Sequence, residues 1–425
     1  MSRASADAAL DEAHRAFFGR LVGWVFRMTG DLQLAEDAVA AAFLAAVSAW
    51  RDRGVPSSPE AWLRVAARNN ARTALTRATR TIVVDPEEFT DLEAAEATPE
   101  PQVDDRLTLL LVCAHPAIDA RLHAPLMLQA VLGLDAARIA SVYLVPPSTM
   151  GQRLSRAKAK IRDAGIRYHH PDPEDLPRRL NAVLQAVYAA YGAGDAVWAT
   201  GDERDDALRG EAIRLAEVLA EAIPGEPEVW GLLALLLHTE SRRPARLVAG
   251  VFIPLEDQDI ALWSTPLRRR ADECLRRASA AGRPGRFQLE AAISAIHSSR
   301  ADEVPVDIDA ILTLYRGLLH SAPSLGATIG AAGAMLRAGL VAEAGELLGG
   351  LPEVAVRQHQ PYWVCRADLA IRRGDQDDRN RCLDIAIGLT ADPAVRAHLV
   401  TRRLAALGTR ERARDVTRGG RRRRG

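Results

Sequence analysis

The 425-residue sequence lacks several features that would each define a class of protein. Its four cysteines are scattered and form no C-x-x-C pair, so neither a disulfide framework nor a zinc site of that type is expected. No apolar run reaches about 18 residues, so we expect no membrane-spanning helix. The N-terminus is acidic and polar where a signal peptide would be basic and then apolar, which favours a cytoplasmic protein.

Catalytic signatures are also missing. The ten histidines form no H-E-x-x-H pair, and the chain has no nucleophile elbow and no phosphate-binding glycine loop. Cys113 and His115 are imaginable metal ligands, but a buried thiol near a helix end is the favoured interpretation. We therefore expect no enzyme, no cofactor and no metal site.

Charge balances over the whole chain, with 55 basic and 55 acidic residues, but not along it. Residues 1–80 are mildly basic, and residues 106–168 hold nine bases against three acids. Between them, residues 81–105 carry nine acids, no base and three prolines, a composition typical of a flexible acidic linker. Lysine is nearly absent, since Lys158 and Lys160 are the only two in the chain.

Helical periodicity dominates the sequence. Apolar residues recur at steps of three and four almost throughout, with no sustained alternation of the strand type, which predicts an all-α fold. Residues 175–408 show helical segments separated by glycine and proline, which favours a TPR-like solenoid. Residues 409–425 are rich in arginine and predict a disordered basic tail.

The segment PPSTMGQRLSRAKAKIRDAG, which spans Pro146–Gly165, predicts a helix with two faces. The inward stripe is Met150, Leu154, Ala157 and Ile161. The opposite side and its flanks carry Gln152, Arg153, Ser155, Arg156, Lys158 and Lys160. Because a short helix and a double-proline turn precede this segment, the pattern indicates a helix-turn-helix. The alternative is an ordinary amphipathic surface helix with a solvated basic side.

Three quoted stretches resemble a known family. VLGLDAARIASVYLVPPSTMGQRLSRAKAKIR resembles the fourth conserved region of bacterial RNA polymerase sigma factors of the extracytoplasmic-function group. GDLQLAEDAVAAAFLAAVSAW resembles the polymerase-binding helix of the second conserved region, and PEAWLRVAARNNARTAL resembles the following helix, which acts on the minus-ten promoter element. LEDQDIALW together with HTESRRPARL resembles the subgroup with a fused helical, TPR-like extension.

The resemblance implies three sets of contacts. Core polymerase would be bound through Asp37, Val39, Phe43, Val47 and Trp50. The minus-ten element would be bound through Trp62, Arg64, Arg68, Asn69 and Arg72, with packing in the core as the favoured alternative for Trp62. In the minus-thirty-five element, bases would be read by Gln152, Ser155 and Arg156, and phosphates would be held by Arg153, Lys158 and Lys160.

Two departures from the family pattern bear on these implications. Ala40, Ala41 and Ala42 stand where the family commonly has polar residues, which removes hydrogen bonds to polymerase. Gly151 stands where a basic residue is frequent, so one usual DNA contact is missing.

The sequence thus predicts sigma region 2 over residues 8–80, an acidic linker over 81–105, sigma region 4 over 106–168, a helical extension over 175–408 and a basic tail over 409–425. The predicted function is promoter-specific initiation by core RNA polymerase, with the extension modulating it through an intramolecular contact or a protein partner. A helix-turn-helix regulator that acts without polymerase and a helical-repeat interaction scaffold are the alternatives.

Overall fold

The computed structural model describes residues 3–79, 105–143, 145–169, 171–172, 174–196 and 203–405. Within these ranges the chain is helical apart from one short hairpin, so the predicted all-α class is confirmed. Two compact units are present. One holds the described residues up to Asp195 and from Glu203 to Ile223, and the other holds Ala196 and the described residues from Pro224 onward. The predicted linker, except Asp105, and the predicted tail lie outside the described residues.

The first unit consists of helices only. They are α1 (Arg3–Thr29), α2 (Leu32–Arg53), α3 (Pro59–Thr79), α4 (Asp105–Cys113), α5 (Ala120–Ala130), α6 (Ala136–Val142), α7 (Pro147–Asp163), α8 (Leu176–Ala196) and α9 (Glu203–Ala222). The extension was predicted to begin at residue 175, but α8 and α9 group with this first unit.

Local sequence explains where the functional helices begin and end. The Asp31 carboxylate accepts from the Leu34 amide at 3.1 Å and caps α2, which stops at Gly54 with a left-handed φ of 86°. Asp135 caps α6 in the same way through the Arg138 amide at 2.7 Å. Helix α7 begins at Pro147, where the missing amide proton costs no helical hydrogen bond.

The first unit packs its helices around a shared apolar core. Helix α1 contacts α2, α3 and α4, and α7 contacts α2, α5 and α6. The predicted inward stripe of α7 is buried, as Met150, Leu154, Ala157 and Ile161 show. Gly19 of α1 lies against the backbone carbonyl of Val131 just after α5, so closely that no Cβ fits between them.

Helix α2 has the length and apolar composition to cross a membrane. This is weak evidence for a membrane span, because buried core helices meet the same test and 44% of the most apolar 18-residue stretch of α2 is buried.

The second unit contains helices joined by short turns and one hairpin. Its elements are α10 (Pro227–Ser241), α11 (Arg243–Arg246), β1 (Leu247–Val248), β2 (Val251–Phe252), α12 (Thr265–Ser279), α13 (Arg286–Ser298), α14 (Ile308–Ser321), α15 (Leu325–Arg337), α16 (Val341–Gly349), α17 (Glu353–Val356), α18 (Gln360–Arg373), α19 (Gln376–Leu389) and α20 (393–405). Strands β1 and β2 pair antiparallel. Helix α10 packs between α12 and α13, and the later helices pack in consecutive pairs.

The acidic stretch LEDQD, Leu255–Asp259, is held within the second unit. The Arg300 guanidinium donates to the Leu255 carbonyl at 2.7 Å and to the Glu256 carbonyl at 3.0 Å. Asp259 accepts from the Ala261 amide at 2.9 Å and so caps the following turn. Buried Trp263 donates to the Gln258 side chain at 3.2 Å. This stretch therefore anchors the segment between the hairpin and α12.

His238 makes the second unit sensitive to acid. The imidazole is fully buried, and burial together with the positive charges of Arg242 and Arg268 lowers its pKa to about 3. Asp272 lies 3.4 Å away, but its attraction does not offset these effects. The neutral ring therefore stabilises the fold fully above the usual histidine pKa of about 6.5, and this contribution is lost as the pH falls below that value.

We expect the free energy of unfolding to drop by about 2 kcal/mol between pH 6.5 and pH 4.5 through His238, as the slope rises from half of ~1.4 kcal/mol per pH unit to nearly its full value. Urea unfolding at several pH values measures this slope. His238→Leu should reduce the slope, because leucine carries no proton, while His297, whose pKa burial lowers to about 4, keeps its own contribution. An unchanged slope in that variant would show that another group causes the acid sensitivity.

Candidate functional site

The outer side of α7 presents a polar and basic surface. Gln152, Arg153, Ser155, Arg156 and Lys160 are all exposed on it, as predicted from the helical spacing. Since α7 has no acid before Asp163 at its end, this face offers cations and hydrogen-bond donors together. Such a surface can bind phosphates and base edges.

Lys158 does not belong to that surface, and its predicted phosphate contact does not fit this arrangement. Its side chain is only 5% exposed, and its Nζ lies 2.5 Å from the Glu36 Oε2 and 3.0 Å from the Gln33 Oε1 of α2. The reason is helical geometry, because Lys158 follows Leu154 by one turn and so falls on the buried stripe. Lys158 joins α7 to α2 through a buried ion pair.

The predicted minus-ten residues lie on α3. Arg64 is exposed, and its guanidinium lies 4.6 Å above the Trp24 ring, while Asn69 and Arg72 are also exposed. Trp62 is half-buried, with its ring 6.0 Å from that of Trp50 in an edge-to-face contact. Arg68 is half-buried as well. The exposed members of this set form a basic strip along α3.

The predicted polymerase contacts on α2 need correction. Val39, Phe43 and Trp50 are buried at 0%, 7% and 2% exposure, so these side chains form the core side of α2 instead of a surface for a partner. Val47 is half-buried, and Asp37 is exposed and accepts from Gln33 Nε2 at 3.0 Å. The stripe read from the sequence was the inward one, because the most apolar face of a helix packs inside its own domain.

The outward face of α2 contains residues that the sequence argument missed. Leu44 is 72% exposed, and it is flanked on the same face by exposed Ala40, Ala41 and Ala45. An exposed leucine beside exposed alanines forms a small apolar area for contact with another protein. The sequence contained a signal for this face, because Leu44 lies one helical turn after Ala40 and Ala41 and so shares their side of α2.

The described part of the chain offers no metal centre of three or more His, Cys, Asp or Glu side chains. Cys113 is fully buried, and burial raises the pKa of its thiol far above the usual value. His115 uses its Nδ1 to accept from the Ala117 amide at 3.1 Å. These two residues serve packing and a local turn.

Comparisons with known proteins agree with this arrangement. Residues 14–81, which include α2 and α3, match the family model of sigma-70 region 2. Residues 179–279 match a family of unknown function, DUF6596. No solved structure matches the chain.

The N-terminal match supports membership of a sigma factor family. Over 311 residues the chain is 37% identical to the uncharacterized protein R00370 of Rhizobium meliloti (strain 1021). The aligned region covers 71% of this chain and 74% of that protein. The chain belongs to the same family as this rhizobial protein.

Proposed function

We propose that the protein is an alternative sigma factor of the extracytoplasmic-function group, which binds core RNA polymerase and directs transcription from a small set of promoters. The observation that carries the proposal is that the sigma-70 region 2 match includes both α2, with its uncovered Leu44 face, and α3, with its basic strip. Helix α7 supplies a second basic surface in the same unit. In this proposal the polymerase carries out the catalytic chemistry of transcription.

The two basic surfaces divide promoter recognition between them. Arg64, Asn69 and Arg72 of α3 act on the minus-ten element, with Arg68 and Trp62 behind them. Helix α7 acts as the second helix of a helix-turn-helix and reads the minus-thirty-five element. The Lys158–Glu36 pair joins the inward side of α7 to α2, and the outer face with Gln152 and Arg156 stays exposed for DNA.

Leu44 gives the sharpest test of polymerase binding. Replacing Leu44 with arginine should weaken binding of the chain to core polymerase about 10-fold or more, since a buried leucine contributes roughly 1.5–3 kcal/mol at an interface. Folding should be unaffected, because the side chain is 72% exposed. Titration of labelled protein with core polymerase measures the change.

Leu404→Arg is the matched control, since Leu404 is 57% exposed and lies in α20 of the second unit. It should bind polymerase as the unchanged protein does. Equal affinity of the unchanged protein and the Leu44→Arg variant for core polymerase would show that the Leu44 face of α2 does not contact polymerase.

Arg156 and Lys160 should differ in how they affect DNA binding. Arg156→Ala should cost about 1–3 kcal/mol at the preferred promoter and little elsewhere, because arginine reads base edges. Lys160→Ala should weaken binding to all promoters alike and lower the salt slope by about one, whereas Lys158→Ala should leave the salt slope unchanged, because the Lys158 ammonium is buried against Glu36. Affinities for several promoter fragments at a series of salt concentrations distinguish these cases. Unchanged promoter choice with Arg156→Ala would contradict the assignment.

We also propose that the TPR-like extension modulates sigma activity within the same chain. Removal of residues 224–425 takes away the part of the extension that lies in the second unit and leaves α8 and α9 in place. Unchanged transcription and polymerase affinity after removal of residues 224–425 would contradict this role.

A regulator that binds DNA without polymerase is the second candidate. The observation in its favour is that alanines occupy the exposed positions 40 and 41 of α2, which leaves few hydrogen bonds for polymerase. Co-elution of the purified chain with core polymerase excludes this candidate, and promoter binding without co-elution supports it.

A further inference from the structure

A pocket of about 580 Å³ opens in the first unit between α1, α2, the α5–α6 turn and α7. Its volume falls within the range of small-molecule sites in proteins, roughly 300–1,000 Å³. Most of its lining is apolar, and a few polar side chains converge on it. This combination is typical of a ligand site, and the lining shares Leu44 with the proposed polymerase surface and Ser155 with the proposed DNA-binding face.

One wall of the pocket is aromatic. The His14 ring lies 4.8 Å from the Phe18 ring and 5.0 Å from the Phe43 ring, between centroids. Burial, aided by the charge of Arg214, lowers the pKa of His14, so the imidazole is neutral at pH 7. Aromatic faces in a partly buried site attract a cationic group.

The charged groups of the pocket are mainly acidic. Four carboxylates line it, from Asp11, Glu36, Asp37 and Asp135, and Lys158 is its one lining ammonium group. The Lys158 ammonium is already engaged by Glu36 and Gln33. The lining therefore carries an excess of negative charge that a bound cation would balance.

Two buried acceptors in this lining lack partners. Neither Glu36 Oε1 nor Gln129 Oε1 has a hydrogen-bond partner among the residues that the structure describes. Burial raises the pKa of Glu36 to about 7 despite the attraction of Lys158, so the existing pair does not fully compensate this carboxylate. A buried acceptor without a donor is costly, and a ligand that donates hydrogen bonds removes the cost.

We propose that this pocket binds a small organic cation, a primary ammonium group carried on a compact apolar body. The ammonium group donates to the Glu36 carboxylate and the Gln129 amide oxygen, and the apolar body packs against Phe18, Phe43 and Leu154. Since both α2 and α7 line the pocket, the ligand holds these helices together. Because Leu44 lines the pocket and also lies on the proposed polymerase surface, binding of the ligand is tested in the absence of polymerase.

Calorimetric titration of the full chain with 2-phenylethylamine tests the proposal. The amine should bind saturably with a Kd tighter than about 1 mM. Two probes of the same shape serve as comparisons: 3-phenylpropionate, an anion, and 2-phenylethanol, which is neutral. Each should bind at least about 10-fold more weakly, because neither brings a positive charge to the acidic lining.

Variants at exposed and half-buried positions locate the binding. Ala40→Phe places a ring in the pocket and should abolish binding, whereas Ala41→Phe, an exposed neighbour outside the lining, should leave it intact. Gln129→Leu should weaken the amine about 10-fold by removing one acceptor. The same exchange at half-buried Gln185, which is not in the lining, should not.

The proposal is overturned if the amine fails to bind, if the anion binds equally well, or if Ala40→Phe binds as the unchanged protein does. Because the titration contains neither polymerase nor DNA, its failure leaves the proposed sigma function standing. Absence of polymerase binding together with intact amine binding would contradict the proposed sigma function and leave the pocket proposal standing.

Discussion

Replacing Glu36 with leucine is expected to lower the free energy of unfolding of the first unit by about 3–5 kcal/mol. The Lys158 side chain is 5% exposed and lies 2.5 Å from Glu36 Oε2, so the variant leaves a buried ammonium group with only Gln33 beside it. Lys158→Met should cost clearly less near pH 7, because the pKa of Glu36 is already about 7 and the carboxyl then becomes neutral. Urea unfolding of each variant measures the difference.

The double variant Glu36→Leu with Lys158→Met is the control for this pair. It removes both charges and replaces them with apolar groups, so it should recover most of the lost stability. A double variant as unstable as Glu36→Leu alone would show that packing around Glu36, and not the ion pair, holds α7 on α2.

Replacing Gly19 with alanine is expected to have the second large effect. A Cβ at Gly19 would overlap the backbone carbonyl oxygen of Val131, and backbone moves less readily than a side chain. We expect a loss of about 3 kcal/mol or a separation of α1 from the end of α5, since overpacking of a tight contact costs roughly 1–3 kcal/mol or more. Unfolding experiments measure the loss, and hydrogen exchange in residues 126–134 reports the separation.

Gly210→Ala is the matched control. Gly210 lies within α9, and nothing lies within 4 Å of the position that its Cβ would take. The same exchange there should stabilise the helix by about 0.5–1 kcal/mol. If both variants behaved alike, the close approach of α1 to Val131 would be refuted.

Spacing within single helices predicted much of the fold. The predicted inward stripe of α7 is confirmed, and the start of α7 at Pro147 and the Asp135 cap likewise rest on short-range sequence. These features depend on residues within a few turns of one another, where helical geometry fixes the neighbours. The basic outer face of α7 was predictable for the same reason.

The Lys158–Glu36 pair was not predicted, since its partners are 122 residues apart. Each sits on an otherwise apolar stripe, as Leu154 precedes Lys158 and Leu32 precedes Glu36 by one turn. Those positions indicate burial, but periodicity does not say which helix provides the opposite charge. The error on α2 arose similarly, because periodicity finds the apolar face and does not distinguish a domain core from a surface for a partner.

Transcription in vitro with core polymerase and genomic DNA tests the central claim most directly. Addition of the purified protein is predicted to produce transcripts from a small set of new start sites, each preceded by a shared pair of promoter elements. The Leu44→Arg variant should reduce all of these transcripts together. Absence of any new start site, with core polymerase active on a control sigma factor, would contradict the account.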